Sequence, residues 1–355
     1  MQKKMTQPHS GSFRGPLFVV GMWRSGTSLL YALLNQHPEI ALLYEGDLPL
    51  LSPLFWFPKG KSDWRERWEF WNSAFERHQV DSARIPRAVC GVAEAMSHVG
   101  REYARRKGAM IWGCKSPNYY DSMVRLNREF QGARFIVIWR DPSDICRSIL
   151  RAAEHPNWFR KSGLPHRALF GYRQMKKQCD QLIASGVPVH EIEYEDLVQN
   201  PASVMLGVCG FLGVGFDERM LYLEGADRSA IYGGDHHALV KSERIVLTKE
   251  RPEVLPAALR NKVRRYVSRW QKEFKGRWPR VQPVSAEEAR QPGRLERYSD
   301  VLKYRTLRTM DFMIICIFCF APLSFLDRYR NLKRDRHLAP EVRGNIARPA
   351  GTPAD

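Results

Sequence analysis

Leu17-Phe18-Val19-Val20-Gly21-Met22-Trp23-Arg24-Ser25-Gly26-Thr27-Ser28-Leu29-Leu30 changes character twice along its length. Its first part is an unbroken apolar run ending in glycine, which predicts a buried strand. From Gly26 the apolar positions Leu29, Leu30, Leu33 and Leu34 recur at helical spacing until His37-Pro38 closes the segment. Between strand and helix lies Gly21-Met22-Trp23-Arg24-Ser25-Gly26, the G-x-x-x-x-G spacing of a phosphate-binding loop. Glycines let such a loop turn tightly enough for successive N–H groups to face one anion, and the helix N-terminus adds partial positive charge. Nucleoside triphosphatases place Lys and then Ser or Thr after the second glycine. Here Thr27 stands at the Lys position and the cation, Arg24, sits inside the loop. The hydroxyls of Ser25, Thr27 and Ser28 can donate to a phosphate, and Arg24 can reach the bridging oxygen beyond it. That arrangement suits transfer from a 5′-phosphate without an obligatory metal. The plainer alternative is a strand-to-helix turn with a hydroxyl cap.

Further strands are expected at Met110 to Cys114, at Phe135 to Trp139 and at Val189 to Tyr194, with helices from Ser143 and near 196 to 212. Apolar strands alternating with helices imply an α/β fold: a P-loop-like three-layer sandwich, its central sheet mainly parallel and helices on both faces. Residues 16–275 are read as this domain, with 64–107 a helical insert rich in Trp, Arg and Glu that forms part of the substrate-facing wall. Residues 1–15 and 341–355 are expected to be disordered. Residues 276–297 read as a linker, and 298–340 as a C-terminal helical and apolar segment with a basic tail.

The formal net charge of +18 points to an anionic partner. Between Lys241 and Arg280 there are 13 Lys or Arg against 4 Glu, half of that net charge. This is either a solvated basic helix face or an electropositive rim that gathers an anion. The seven cysteines are odd in number and irregular in spacing, unlike a disulfide framework, and read as reduced packing residues. Met1 to Gly15 has no apolar core of a secretory signal, so a cytoplasmic protein is expected. Phe312 to Leu326 is a nearly uncharged apolar run containing Pro322 and followed by Arg328, Arg330, Lys333, Arg334 and Arg336. As a helix it would span roughly 22 Å, short of the roughly 30 Å hydrocarbon core. It reads either as a helix packed on the body or on a second subunit, in a homodimer, or as a peripheral membrane contact through 312–336 whose basic tail meets anionic lipid.

The loop resembles the 5′-phosphosulfate-binding loop of sulfotransferases that use 3′-phosphoadenosine 5′-phosphosulfate (PAPS). The longer run Gly21 to Glu45, with R-S-G-T-S-L, then H-P, then Glu, resembles tyrosylprotein sulfotransferases and their bacterial relatives. The resemblance implies a catalytic base at Glu45, and it assigns Lys115 of Lys115-Ser116-Pro117 to stabilising the transferring group. Electrostatics agrees, since negative charge builds on the bridging oxygen as the S–O bond breaks. The same resemblance implies that Arg140, at the end of the Phe135–Trp139 strand, and Ser148 bind the 3′-phosphate. The physics supports it: Arg140 leaves the carboxyl end of a central strand, where open α/β sheets place ligands, and a guanidinium can hold a phosphate bidentately. Its alternative role is a structural pair with Asp141 or Asp144. A late-loop lysine closes over the nucleotide in the family, and Lys241 and Lys249 are the candidates. The Glu193-Tyr194-Glu195-Asp196-Leu197 segment also resembles the family and reads as a structural junction.

These features predict in-line transfer of a sulfuryl group from PAPS to an acceptor hydroxyl or amine, with Glu45 taking the acceptor proton, Arg24 and Lys115 neutralising charge on the leaving phosphate oxygen, and no metal and no nucleic acid. The acceptor can be a peptide, carbohydrate, lipid or small metabolite. His98 and His155 are rival bases, and His236-His237 lacks a ligand set for a metal. Two other functions fit parts of the pattern. A P-loop kinase shares the glycine spacing but needs the missing Lys at 27. A non-catalytic anion binder at a membrane would use the basic helix and tail, with salt-sensitive binding and no nucleotide preference.

Overall fold

The computed structural model describes residues 13–47, 64–72, 74–89, 91–154, 159, 163–231, 255–275, 278–279 and 292–329. Five strands form one sheet: β1 (Leu17–Gly21), β2 (Ile40–Tyr44), β3 (Ile111–Lys115), β4 (Arg134–Trp139) and β5 (Val189–Glu193). Their order is β2-β3-β1-β4-β5, and every pair is parallel. Parallel neighbours require crossovers, which the helices supply. These are α1 (Thr27–Leu34), α2 (Trp64–Asn72), α3 (Ala74–His78), α4 (Val92–Lys107), α5 (Met123–Glu129), α6 (Pro142–Ala152), α7 (Leu164–Ala184), α8 (Tyr194–Gln199), α9 (Pro201–Leu212), α10 (Ala257–Glu273) and α11 (Arg294–Phe320).

The three-layer α/β architecture expected from the sequence is present. Alternate residues of each strand feed two separate cores. Phe18, Val20, Leu43, Cys114, Phe135 and Val137 pack with α4, α5, α6, α7 and α10. Leu17, Val19, Leu42, Ile136 and Ile138 pack on the other face with α1, α8 and α9. Both faces are covered, so the strands read as continuous apolar runs rather than as alternating ones.

All four expected strands follow their apolar runs to within a residue. β3 ends one residue later than the run suggests, on Lys115, and Tyr194 opens α8 instead of closing β5. The strand not expected is β2; the helices α5 and α7 were not singled out in the sequence either. Ile40-Ala41-Leu42-Leu43-Tyr44 follows α1 closely and shows no alternation, so its sequence does not separate strand from helix. Position does: it is an edge strand whose outward backbone groups need partners. Buried Asn35 accepts from the Leu42 N–H at 2.8 Å and donates to the Leu42 carbonyl at 3.2 Å. Buried His78 accepts from the Tyr44 N–H at 2.9 Å. Burial, with Arg77 nearby, lowers the His78 pKa to about 3, so the ring stays neutral and can accept. α11 begins at Arg294, four residues before the boundary read from sequence.

All five carboxyl ends lie on one edge of the sheet. β1 is central, and the chain runs first to β2 and β3 on one side, then to β4 and β5 on the other. The carboxyl end of β1 is thus the topological switch point, where such sheets bind ligands.

Candidate active site

Four strand ends deliver the site. The turn after β1 carries Arg24 to Ser28, and Gly26 is left-handed (φ 96°) where it caps α1. A Cβ on Gly26 would lie 2.4 Å from the Tyr194 ring. A Cβ on Gly21 would lie 2.5 Å from both Ile138 and the Ser25 hydroxyl. Both glycines of the spacing are therefore required by close approach, and Gly26 by its φ as well. The first-turn amides of α1 lack intrahelical partners by construction and no acidic residue stands in that turn. Ser25 is fully buried, and its Oγ has no hydrogen-bond partner. A buried unsatisfied hydroxyl costs about 1–3 kcal/mol, so its retention beside a helix N-terminus fits a site built for an anion's oxygen.

Arg24, itself left-handed (φ 68°), joins the two anion regions predicted from sequence. Its Nε donates to Ser148 Oγ at 2.9 Å, and Arg140 donates to the Arg24 carbonyl at 2.8 Å. Burial, then the nearby Arg140, lowers the Arg24 pKa to about 10, with Arg151 adding to the effect. The side chain remains cationic at neutral pH. Arg24 and Arg140 lie close enough for like-charge repulsion to be felt, a repulsion that a bound anion would relieve. Neither Asp141 nor Asp144 is bonded to Arg140: Asp141 caps α6 through the Ser143 N–H, and Asp144 bonds Arg147. The Arg140 guanidinium stacks instead on Tyr194, 4.3 Å from its ring centroid, and its buried Nε has no hydrogen-bond partner. Tyr194, read from sequence as part of a structural junction, thus supports Arg140 from below and packs against Gly26. Arg151, one turn beyond Ser148 on α6, is a further cation that sequence reading did not single out.

The other half of the site lies at the ends of β2 and β3. The pairing sets Tyr44 opposite Lys115, which places the next residue, Glu45, beside it. The Glu45 N–H donates to the Lys115 carbonyl at 2.7 Å, and Glu45 is left-handed (φ 52°). Strained backbone of this kind costs on the order of 1–3 kcal/mol and concentrates at functional sites. Lys115 Nζ donates to Glu45 Oε1 at 2.8 Å and to Ser28 Oγ at 3.2 Å, and lies 4.0 Å from the Tyr44 ring centroid. Ser28 and Tyr44 share a hydrogen bond of 2.9 Å. Burial alone would lower the pKa of Lys115; Glu45 and Tyr44 outweigh it and hold the pKa above its ordinary value. Lys115 is 1% exposed and Glu45 18% exposed, so the carboxylate is the member of the pair open to a reactant.

Behind them lies a residue that sequence reading missed. Asp47 is buried, accepts from Ser116 Oγ at 2.5 Å and accepts from Asn118 Nδ2 at 2.9 Å. Burial, then Glu45, pushes its pKa up to about 7, against the opposing effect of those two hydrogen bonds. Trp23 of the donor turn donates to Asn118 Oδ1 at 3.0 Å, which ties the two halves together. Only its position two residues after Glu45 could have marked Asp47, since its partners are about 70 residues away.

Arg24, Ser25, Gly26, Thr27, Ser28, Glu45, Lys115, Arg140 and Ser148 thus gather at one sheet edge. Lys241, Lys249, His155, His236 and His237 lie outside the described residues. His98 lies along α4 beside Glu94. Among the described residues, no group of three or more His, Cys, Asp or Glu side chains could hold a metal ion.

This arrangement has counterparts in known proteins. Nodulation protein H of Rhizobium tropici is 24% identical over 219 residues, covering 58% of this chain and 78% of its own length. Protein-tyrosine sulfotransferase 2 of Gallus gallus is 27% identical over 222 residues, covering 59% of this chain. The aligned region spans only 53% of that relative's length. Among solved structures, the sulfotransferase domain of the Synechococcus PCC 7002 olefin synthase aligns over 77% of this chain and all of its own. Its TM-score is 0.51 at 21% identity, a likeness of fold. A family model described as the sulfotransferase family matches residues 16–218, which hold β1 to β5 and every site residue described above. The chain belongs to the sulfotransferase family, enzymes of sulfuryl transfer.

Proposed function

We propose that the sulfuryl donor is PAPS and that Glu45 is the base that deprotonates the acceptor hydroxyl or amine. The observation that carries this reading is the Glu45–Lys115 pair, set at adjacent strand ends and bonded through Lys115 to Ser28 of the donor turn. In this reading, Ser25, Thr27, Ser28 and the first amides of α1 hold the 5′-phosphosulfate, Arg140 and Ser148 hold the 3′-phosphate, and Arg24, bonded to Ser148, lies between the two and faces the leaving phosphate oxygen. When bound, the nucleotide supplies a sulfuryl group on a phosphate leaving oxygen. Glu45 Oε1 exchanges its bond with Lys115 for the acceptor proton. Lys115, kept cationic by Glu45 and Tyr44, is then free to face the negative charge that develops on the donor side. The Glu45 backbone is already fixed by the Lys115 carbonyl, so only its side chain has to move for it to act.

The test has two readouts. Adenosine 3′,5′-bisphosphate should raise the thermal midpoint of the chain, and ATP with Mg²⁺ should not. Glu45→Gln should retain that thermal response and lose about 10²–10⁴-fold in turnover of labelled PAPS. Near wild-type turnover in Glu45→Gln would remove Glu45 as base, while a response to ATP–Mg²⁺ alone would remove PAPS as donor. Running the labelled assay with peptide, carbohydrate, lipid and small-metabolite acceptors identifies the acceptor class.

A further inference from the structure

α11 has its polarity turned inside out. A helix on the surface of a globular body ordinarily buries its apolar stripe and exposes its charges. Here the three acidic residues of the helix all face the body. Glu296 pairs with Arg265 at 2.6 Å. Asp300 is buried, bonded to Lys262 and to the Tyr266 hydroxyl, and its carbonyl meets His166. Asp311 pairs with Arg167, and Arg308 reaches Asp121. Tyr304 stacks on Phe170 and Leu307 meets Gly163, completing the inner face.

The outer face is largely apolar, interrupted by exposed Ser299, Thr306 and Thr309. Leu295, Tyr298, Leu302, Met313, Ile317 and Phe320 are each more than half exposed, Leu295 at 86% and Phe320 at 69%. Their spacing follows the turn of the helix, so they lie in one stripe. At 27 residues the helix is roughly 40 Å long. The charged residues that accompany the stripe into solvent are cations: Arg294, Lys303 and Arg305 are exposed, and no acidic residue of this helix is. No helix among the described residues is long and apolar enough to cross a membrane.

We propose that the outer face of α11 docks the protein on an anionic lipid surface, with the helix lying in the plane of the interface. The apolar stripe would enter the headgroup–acyl boundary, and the flanking cations would meet lipid phosphates. Charge decides between this occupant and a second copy of the chain. Two copies of this face would bring exposed cations together, while the acids of the helix are already paired with the body, in a chain whose net charge is already +18. An anionic membrane supplies the missing counter-charge. The surface begins at Leu295, well before the apolar run that the sequence marks out, because its first half is amphipathic rather than continuously apolar.

The experiment is co-sedimentation of the full chain with phosphatidylcholine vesicles, with and without about 30% phosphatidylglycerol, at low and high salt. Wild type should pellet with the anionic vesicles at low salt and be released by high salt. Leu302→Glu combined with Met313→Glu should weaken that binding at least about tenfold, as should Lys303→Glu combined with Arg305→Glu. These side chains are exposed, so both variants should keep their thermal midpoint to within about 2 °C. Wild type that stays in the supernatant overturns the proposal, as does binding that survives both pairs of substitutions. A dimer in sedimentation equilibrium that Leu302→Glu with Met313→Glu dissociates, without lipid binding, would assign the stripe to a second copy instead.

Discussion

The donor side and the base side of the site share one sheet edge but differ in how complete their hydrogen bonding is. On the donor side, Ser25 Oγ and Arg140 Nε are buried without hydrogen-bond partners, and Arg24 sits near two other arginines. On the base side, Glu45 is held by Lys115, and both oxygens of Asp47 accept hydrogen bonds. The donor side presents clustered cations and two buried, unsatisfied donors that an anion from outside the chain would satisfy. The base side is assembled by the chain itself, so its organisation is part of folding and need not be supplied on binding. The two are joined where Lys115 and Tyr44 bond Ser28 and where Trp23 bonds Asn118.

Gly26→Ala should break the donor side with the largest effect. The residue is left-handed, and its new Cβ would meet the Tyr194 ring at 2.4 Å. Left-handed strain and overpacking each cost about 1–3 kcal/mol. Because Tyr194 supports Arg140, the loss should reach the anion site: affinity for adenosine 3′,5′-bisphosphate should fall more than about tenfold in calorimetry. The base side should be spared. Unchanged affinity would show that Tyr194 and Arg140 do not depend on the turn as the packing indicates.

The same contrast explains what the sequence made legible. The donor turn is contiguous: strand, two glycines, hydroxyls and helix follow one another from Leu17 to Leu34, and each leaves a local signature. Arg140 and Ser148 were legible for a similar reason, since a strand end and the following helix carry both. The base side is built from residues far apart in the chain. Glu45 could be named by resemblance, but the strand that delivers it, β2, is too uniformly apolar and too close to α1 to be read as a strand. Its edge is finished by Asn35 and His78, whose roles exist only once the sheet is formed. Asp47 was missed on the same ground, and Tyr194 was read only as part of a structural junction. Their significance comes from Ser116, Asn118, Arg140 and Gly26, none of which is near them in sequence.

Asp47→Asn probes the base side through pH. The folded pKa of Asp47 is raised, to about 7, so between the ordinary carboxylate range and pH 7 the folded protein binds more protons there than the unfolded chain does. Stability therefore falls as pH rises through that window, and the penalty is complete above it. Asparagine removes it. Relative to wild type, the thermal midpoint of Asp47→Asn should be higher at pH 8 than at pH 5, by an energy on the order of 1–3 kcal/mol. A midpoint difference that does not change with pH would mean that Asp47 ionises freely, and that the base side is less enclosed than the structure shows.

Ser25→Ala should have the smallest effect, and its sign separates the two sides. If the Ser25 hydroxyl were structural, its removal would destabilise the free protein, as removal of a bonded hydroxyl does. It has no partner, so alanine in its place relieves a desolvation cost, and the free protein should be unchanged or more stable by less than about 1 kcal/mol. In the complex the reverse holds. The hydroxyl would then donate to an anion, and its loss should weaken binding of adenosine 3′,5′-bisphosphate by about 1.5 kcal/mol, roughly tenfold. A thermal midpoint that holds or rises without ligand, together with a smaller ligand-induced rise, would mark Ser25 as a binding group kept at the expense of the free fold. A lower midpoint with an undiminished ligand response would remove the distinction between the two sides, because the donor turn would then be as internally satisfied as the Glu45–Lys115 pair.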